Sequence, residues 1–257
     1  MDTARIAALL EPFLGPLADP PSEHALGPAQ LEQISIYIDL LLRWNARINL
    51  TAIRHEEQIV TRHFGESLFM ARNLFPAEPC RTEGREVERD AIGLERAIDP
   101  CLPSNPSPQP GGLSAPPAAP RVLDIGSGAG FPALPLKIWA PQIRLTLIEA
   151  NHKKSAFLRE VARALAFSHI NVITGRAETI STLTDAPRAE VVTLRAVEHF
   201  ETILPQAASF LRPHGTLALM IGVDQLPSLN TLTNMNWNPP VHIPQSRSRV
   251  LSSGVIT

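Results

Sequence analysis

Residues 121–139, RVLDIGSGAGFPALPLKIW, constrain the fold of this chain more than any other stretch. A short apolar strand runs straight into Gly126, Gly128 and Gly130 at alternate positions, and a helix-like apolar run follows Phe131-Pro132. Glycine lacks a Cβ, so such a loop can take positive φ and bring backbone close to a ligand. The residues that follow repeat an alternation of strand and helix. Strands are expected at RLTLIEA (144–150), INVITG (170–175), AEVVTLRAV (189–197) and GTLALMIG (215–222), with helices over 153–166 and 201–211. Apolar strands alternating with helices imply a parallel sheet covered on both faces, a doubly wound α/β fold. Beyond residue 222 the pattern weakens, and only 241–245 and 249–257 suggest further strands.

In a doubly wound sheet the ligand crevice lies past the carboxyl ends of the strands, and the first loop is its floor. A dinucleotide fingerprint spaces its glycines G-x-G-x-x-G, whereas this loop reads G-x-G-x-G followed by Phe131-Pro132. That spacing suits a sulfonium nucleoside better than a pyrophosphate. Asp124, just before the loop, would repel phosphates and could attract a cationic cofactor. Glu149 ends the second strand, where an acidic group accepts hydrogen bonds from ribose hydroxyls. After the third strand, Ala177 and Glu178 are placed to border an adenine ring. Together these positions point to S-adenosylmethionine as the cofactor.

The first 75 residues read differently. Leu31, Ile34, Ile38, Leu41 and Leu42 recur at helical spacing. A short amphipathic helix over 3–14 precedes them, and a third helix over 56–75 follows, with Glu56 and Glu57 at its positive end. From Pro76 to Pro120 the chain carries ten prolines and, on balance, acidic charge, seven Asp and Glu against four Arg, with no sustained apolar period. This reads as an insertion or linker. Three parts are therefore expected: a helical region (1–75), a proline-rich insertion (76–120) and the cofactor-binding domain (121–257).

The net charge of −2 gives no global attraction to nucleic acid or membrane, so any polyanion site must be local. Cys80 and Cys101 form no metal-ligand pattern, and no metal is expected. With no apolar stretch of bilayer length and no cationic leader, a cytoplasmic protein is expected.

The blocks LLRWNARINLTAIR, VTRHFGESL, VLDIGSGAGFPALPL, LIEANHKKSAFLREV, GRAE and LRAV, in this order, resemble the ribosomal RNA small subunit methyltransferase G family, also called glucose-inhibited division protein B. The resemblance runs from about Leu31 to Gly222 and is interrupted by the proline-rich stretch. It implies a Rossmann-like class I methyltransferase sheet of seven strands with a helical N-terminal region. It implies methyl transfer from S-adenosylmethionine to N7 of a guanosine, with 16S rRNA or the small ribosomal subunit as partner and a monomeric enzyme. Gly126, Phe131, Ala177, Glu178 and Arg195 then fall where the family contacts its cofactor, beside Gly128 and Glu149 from the loop argument.

Guanine N7 carries a lone pair and no proton, so no catalytic base is expected and positioning carries the reaction. Six side chains give the helical region its cations, Arg43, Arg47, Arg54, Arg62, His63 and Arg72. A solvated face is the plain reading of such charges. The resemblance favours phosphate contact for Arg62 and His63, and Arg43 is a further candidate. Lys153 and Lys154 are expected on a solvated face, and Trp44 in the core. The fifth strand ends Met220-Ile221-Gly222 where the family usually has L-K-G, so a cation near the substrate is expected to be missing. The alternative reading is therefore a non-catalytic, cofactor-binding, ribosome-associated protein.

Overall fold

Pro28 opens the long helix α2 (Pro28–Asn45), where its fixed φ suits the first turn and its missing N–H costs nothing. Gln30 closes that turn by accepting the Gly27 N–H at 2.8 Å, and its amide reaches the Ile138 carbonyl at 2.7 Å. Ahead of it, α1 (Thr3–Leu14) is capped by the Asp2 carboxylate and buries Ile6, Leu10 and Phe13. The computed structural model describes residues 1–15, 26–76, 119–196 and 200–257. The expected proline-rich insertion thus lies, from 77 to 118, outside the described residues.

The third expected helix is continuous from Glu56 to Leu74 but not uniform. It begins as α3 (Glu56–Ile59), widens to a π-helical turn at Val60–Gly65, and resumes as α4 (Glu66–Leu74). Hydrophobic spacing foretells a helix here but is blind to the change from i+4 to i+5 bonding. The π turn contains Arg62 and His63, and such turns cluster at functional sites.

The sheet is assembled from β1 (Arg121–Ile125), β2 (Arg144–Glu149), β3 (Ile170–Thr174), β4 (Ala189–Arg195), β5 (Leu211–Gly222), β6 (Met235–Trp237), β7 (Val241–His242) and β8 (Arg249–Ile256). The strands lie in the order β3-β2-β1-β4-β5-β8-β6, with β7 beside β8. β1 to β5 are parallel, and β8 returns antiparallel against β5. This is the doubly wound α/β arrangement, with a strand reversal between β1 and β4 that opens a crevice at their carboxyl ends. The sheet has eight strands rather than seven. The additional strand is β6, formed from residues that carry no strand pattern of their own, whereas β7 and β8 fall within the two weaker expected segments. The Asn-Pro-Pro run at 238–240 lies between β6 and β7, as a connection.

Residue alternation along each strand divides the interior into two cores. Val122, Leu145 and Leu147 join α1, α2, α4, α5 (Ala133–Trp139) and α6 (His152–Ala164) on one face. Leu123, Ile125, Val192 and Leu194 meet α7 (Ala177–Ser181) and α8 (Phe200–Ser209) on the other. The N-terminal helices therefore share a core with the sheet. Trp44 packs on Phe157 there, with ring centroids 5.6 Å apart.

Candidate functional site

All three loop glycines adopt positive φ, 69° at Gly126, 55° at Gly128 and 90° at Gly130. The loop is braced from two directions. Glu149, at the end of β2, accepts the Gly128 N–H at 2.7 Å through Oε2 and the Asn151 N–H at 2.8 Å through Oε1. From α2, the buried Tyr37 hydroxyl donates to the Ala129 carbonyl at 2.5 Å, and its ring stacks on Phe131. Nothing in the local sequence around Tyr37 distinguishes it from an ordinary core residue.

Phe131 also stacks against His63, with centroids 4.7 Å apart and planes 17° from parallel. The conspicuous run W-N-x-x-x-N-L-T now has a physical account. Asn45 is 4% exposed and uses its whole amide on the turn after α2, accepting from Leu50 N (2.8 Å) and Thr51 N (3.0 Å) and donating to the Thr51 carbonyl (2.9 Å). That fixes Thr51, whose hydroxyl lies 2.8 Å from His63 Nε2.

A cleft of about 520 Å³ lies between this assembly and the carboxyl ends of β4 and β5. Its walls include Gly126, Gly128, Phe131, Thr51, Arg62, His63 and Arg195, with Met220, Ile221 and Gly222 from β5. Lys154 lines it too, half-buried rather than on a fully solvated face. Its N-H belongs to the first turn of α6, which Asn151 caps.

At the back of the cleft Glu66, 2% exposed, meets three guanidinium groups. Arg249 approaches Oε1 at 2.6 Å, Arg195 approaches Oε2 at 3.0 Å, and Arg62 lies 3.4 Å from Oε1. Arg195 also donates to the Arg62 carbonyl at 2.5 Å, while the Ser67 hydroxyl donates to the His63 carbonyl at 2.6 Å. Polar groups from β4 and from the helix itself thus satisfy carbonyls of the π turn. Burial pushes the Glu66 carboxyl up, and the Arg195, Arg249 and Arg62 charges pull it back. Burial lowers Arg195 to about 10, which leaves it charged at neutral pH.

Arg249 answers the expectation of a missing cation. Ile221 is buried at the end of β5, but β8 runs antiparallel to β5 and pairs Arg249 with Gly222. A guanidinium therefore enters the same cleft from the neighbouring strand. Sequence reasoning missed it because the pairing joins residues 27 positions apart by a strand that showed only a weak pattern.

Two titrating groups correct their expected electrostatic roles. Burial, reinforced by Arg195, Arg62 and Arg249, lowers His63 from 6.5 to about 3. The ring is neutral at neutral pH, so it brings no charge to the cleft. Asp124 is 1% exposed, bonded by the Thr193 hydroxyl at 2.6 Å, and its second oxygen has no partner among the described residues. Burial raises it to about 7, against the Thr193 and Ser127 hydrogen bonds. It supports the loop from beneath and does not line the cleft.

These shifts have opposite linkage. Unfolded His63 takes a proton near 6.5 but the folded ring resists until about 3, so stability is lost as the pH falls through that range. Folded Asp124 keeps its proton to about 7, so its contribution is full at low pH and is lost as the pH rises. Relative to wild type, His63→Phe is expected to gain stability as the pH drops below 6.5, by up to about 1.4 kcal/mol per unit. Urea unfolding of both proteins at several pH values reads this, and parallel profiles would refute the assignment.

The remaining expected residues lie outside the cleft wall. Ala177 is buried and Glu178 exposed at the start of α7, beyond the end of β3. Arg43 is exposed on α2, with its Nε 3.4 Å from the Asp39 carbonyl. Among the described residues no cluster of three potential metal ligands occurs, and no helix is long and apolar enough to cross a membrane.

The model of the rRNA small subunit methyltransferase G family, GidB, matches residues 30–78 and 114–238. Three similar proteins carry the name ribosomal RNA small subunit methyltransferase G. The one from Chloroflexus aggregans is 33% identical over 90% of this chain and 82% of its own length. That from Roseiflexus sp. is 36% identical over 77% of this chain and 68% of its own. The protein from Cupriavidus necator is 32% identical over 77% and 71%. The matched blocks are those that build the cleft from both sides, the π turn and the glycine loop, and the chain belongs to the rRNA small subunit methyltransferase G family.

Proposed function

We propose that the protein transfers a methyl group from S-adenosylmethionine to N7 of a guanosine in 16S rRNA, acting in the cytoplasm. Family membership supports the class of reaction. The observation that carries the reading is the junction itself: glycine loop, π turn and the ends of β4 and β5 enclose one cleft, lined also by Lys154, in which Arg62, Arg195 and Arg249 meet a single carboxylate, Glu66.

The residues present fit the cofactor. Gly126 and Gly128 leave open backbone, and neither oxygen of Glu149 is saturated by its one hydrogen bond, so ribose hydroxyls retain acceptors there. Ala177 and Glu178 would flank the adenine, and Phe131 and Arg195 the methionine end. When bound, S-adenosylmethionine supplies a methyl group activated by its sulfonium charge. The chain's own residues need only orient and shield. His63 is neutral and stacked, Glu66 is held by arginines, and neither is required to take a proton from N7, which has none. Arg62, the most exposed of the Glu66 partners at 53%, is the candidate phosphate contact at the cleft mouth, and Arg43 a more distant one.

Labelled methyl transfer to small subunits lacking N7-methylguanosine, with free 16S rRNA in parallel, tests the reading. Label is expected at one guanine N7. Absence of label while the cofactor binds would overturn it and favour a non-catalytic binder. Arg195→Ala is expected to lower turnover roughly a hundredfold, the scale of a small misplacement of reacting groups. Unchanged turnover and cofactor affinity in that variant would remove Arg195 from the site.

A further inference from the structure

A second cleft, of about 380 Å³, lies at the opposite end of the sheet, where β1, β2, β3 and β4 begin. The proposed reaction makes no use of it. Strand register lines up its charges. Arg121 opens β1 directly opposite Arg144, which opens β2. His169 immediately precedes Ile170, the partner of Leu145, and Arg188 immediately precedes β4. All three arginines are exposed.

Like charges directly opposite one another on adjacent strands are destabilising. The carboxylate nearest in register does not relieve them. Glu190 Oε2 accepts the Arg121 backbone N–H at 2.7 Å, and its Oε1 pairs with the Arg212 guanidinium at 2.8 Å. Among the described residues no side chain bonds or pairs with the guanidinium groups of Arg121, Arg144 or Arg188. In a chain of net charge −2, three arginines therefore converge on one concavity against their own repulsion.

We infer that this cleft binds the phosphodiester backbone of the RNA substrate, an inference that rests on the proposed function. Guanidinium forks match phosphate oxygens in geometry and charge. Adjacent strands set the arginines about 4.8 Å apart at their roots, close enough for two to share one phosphate. Among the described residues no Phe, Tyr or Trp lines the cleft, so they offer no large aromatic platform for stacking bases and suit sequence-independent contact. The five residues of β1 separate it from the glycine loop by about 17 Å, a distance that a folded RNA covers.

The full-length protein carrying Arg121→Gln, Arg144→Gln and Arg188→Gln together tests this. Binding of 16S rRNA is measured against salt concentration, alongside methyl-transfer kinetics and cofactor affinity. Three lost phosphate contacts should make the slope of log affinity against log salt shallower by roughly 2 and raise the KM for RNA about tenfold. Turnover at saturating RNA and cofactor affinity should stay unchanged, and the Tm should not fall, because a like-charge pair has been removed. An active wild type whose slope and KM survive in the triple variant would overturn the inference and leave the proposed function standing. A wild type that transfers no methyl would instead undo the proposed function, while the slope would still report whether RNA uses this cleft. Inorganic phosphate that stabilises the wild type but not the variant, with an unchanged RNA slope, would assign the cleft to a small anion and also overturn the inference.

Discussion

Glu66→Ala is expected to lower the unfolding free energy by about 3–5 kcal/mol, the scale of breaking a buried ion pair by removing one partner. Glu66 is 2% exposed and Arg195 only 11%, so water cannot replace the lost carboxylate around Arg195. Arg249, 26% exposed, loses its partner at the same time, and three like charges are left facing one another. The damage should reach function, because Arg195 holds the carbonyl of Arg62 in the π turn that walls the cleft. Urea unfolding at neutral pH measures the loss. Glu66→Gln keeps the shape and one acceptor oxygen and should lose less. A change below about 1 kcal/mol in Glu66→Ala would mean that the network is screened like a surface pair.

Gly130→Ala is the second large effect, expected to cost about 3 kcal/mol and to abolish measurable cofactor binding. Two causes combine. At φ 90° an L side chain is strained. An added Cβ would also collide with the Tyr37 hydroxyl and approach Leu134 Cδ1 to 2.5 Å, so either the α2 contact or the loop must move. Gly128→Ala is the informative contrast. Its φ of 55° is also positive, but its Cβ would meet nothing nearer than the Gly126 carbonyl at 3.8 Å. It should lose only the conformational part, about 1–2 kcal/mol. Equal losses in the two variants, read by thermal unfolding with and without S-adenosylmethionine, would show that packing against Tyr37 is unimportant.

The contrast between those two glycines separates what could be read along the chain from what could not. Positive φ is a local demand, and the G-x-G-x-G spacing announces it. The collision with Tyr37 depends on a residue 93 positions away and leaves no mark on the loop sequence. Likewise, the periodicity of residues 56–75 announces a helix, whereas the π turn at Val60–Gly65 is specified by tertiary partners, Arg195 among them.

By itself the sequence determined the strand and helix alternation, the glycine loop and the acidic end of β2, because each follows from the stereochemistry and polarity of neighbouring residues. The tertiary structure alone decided which groups carry charge at the cleft. His63 is a cation by composition and a neutral ring by burial, and Arg249 is remote in sequence yet stands in register with Gly222. Side-chain charge depends on solvent access and on neighbours brought together by strand pairing, and neither quantity exists until the chain has folded.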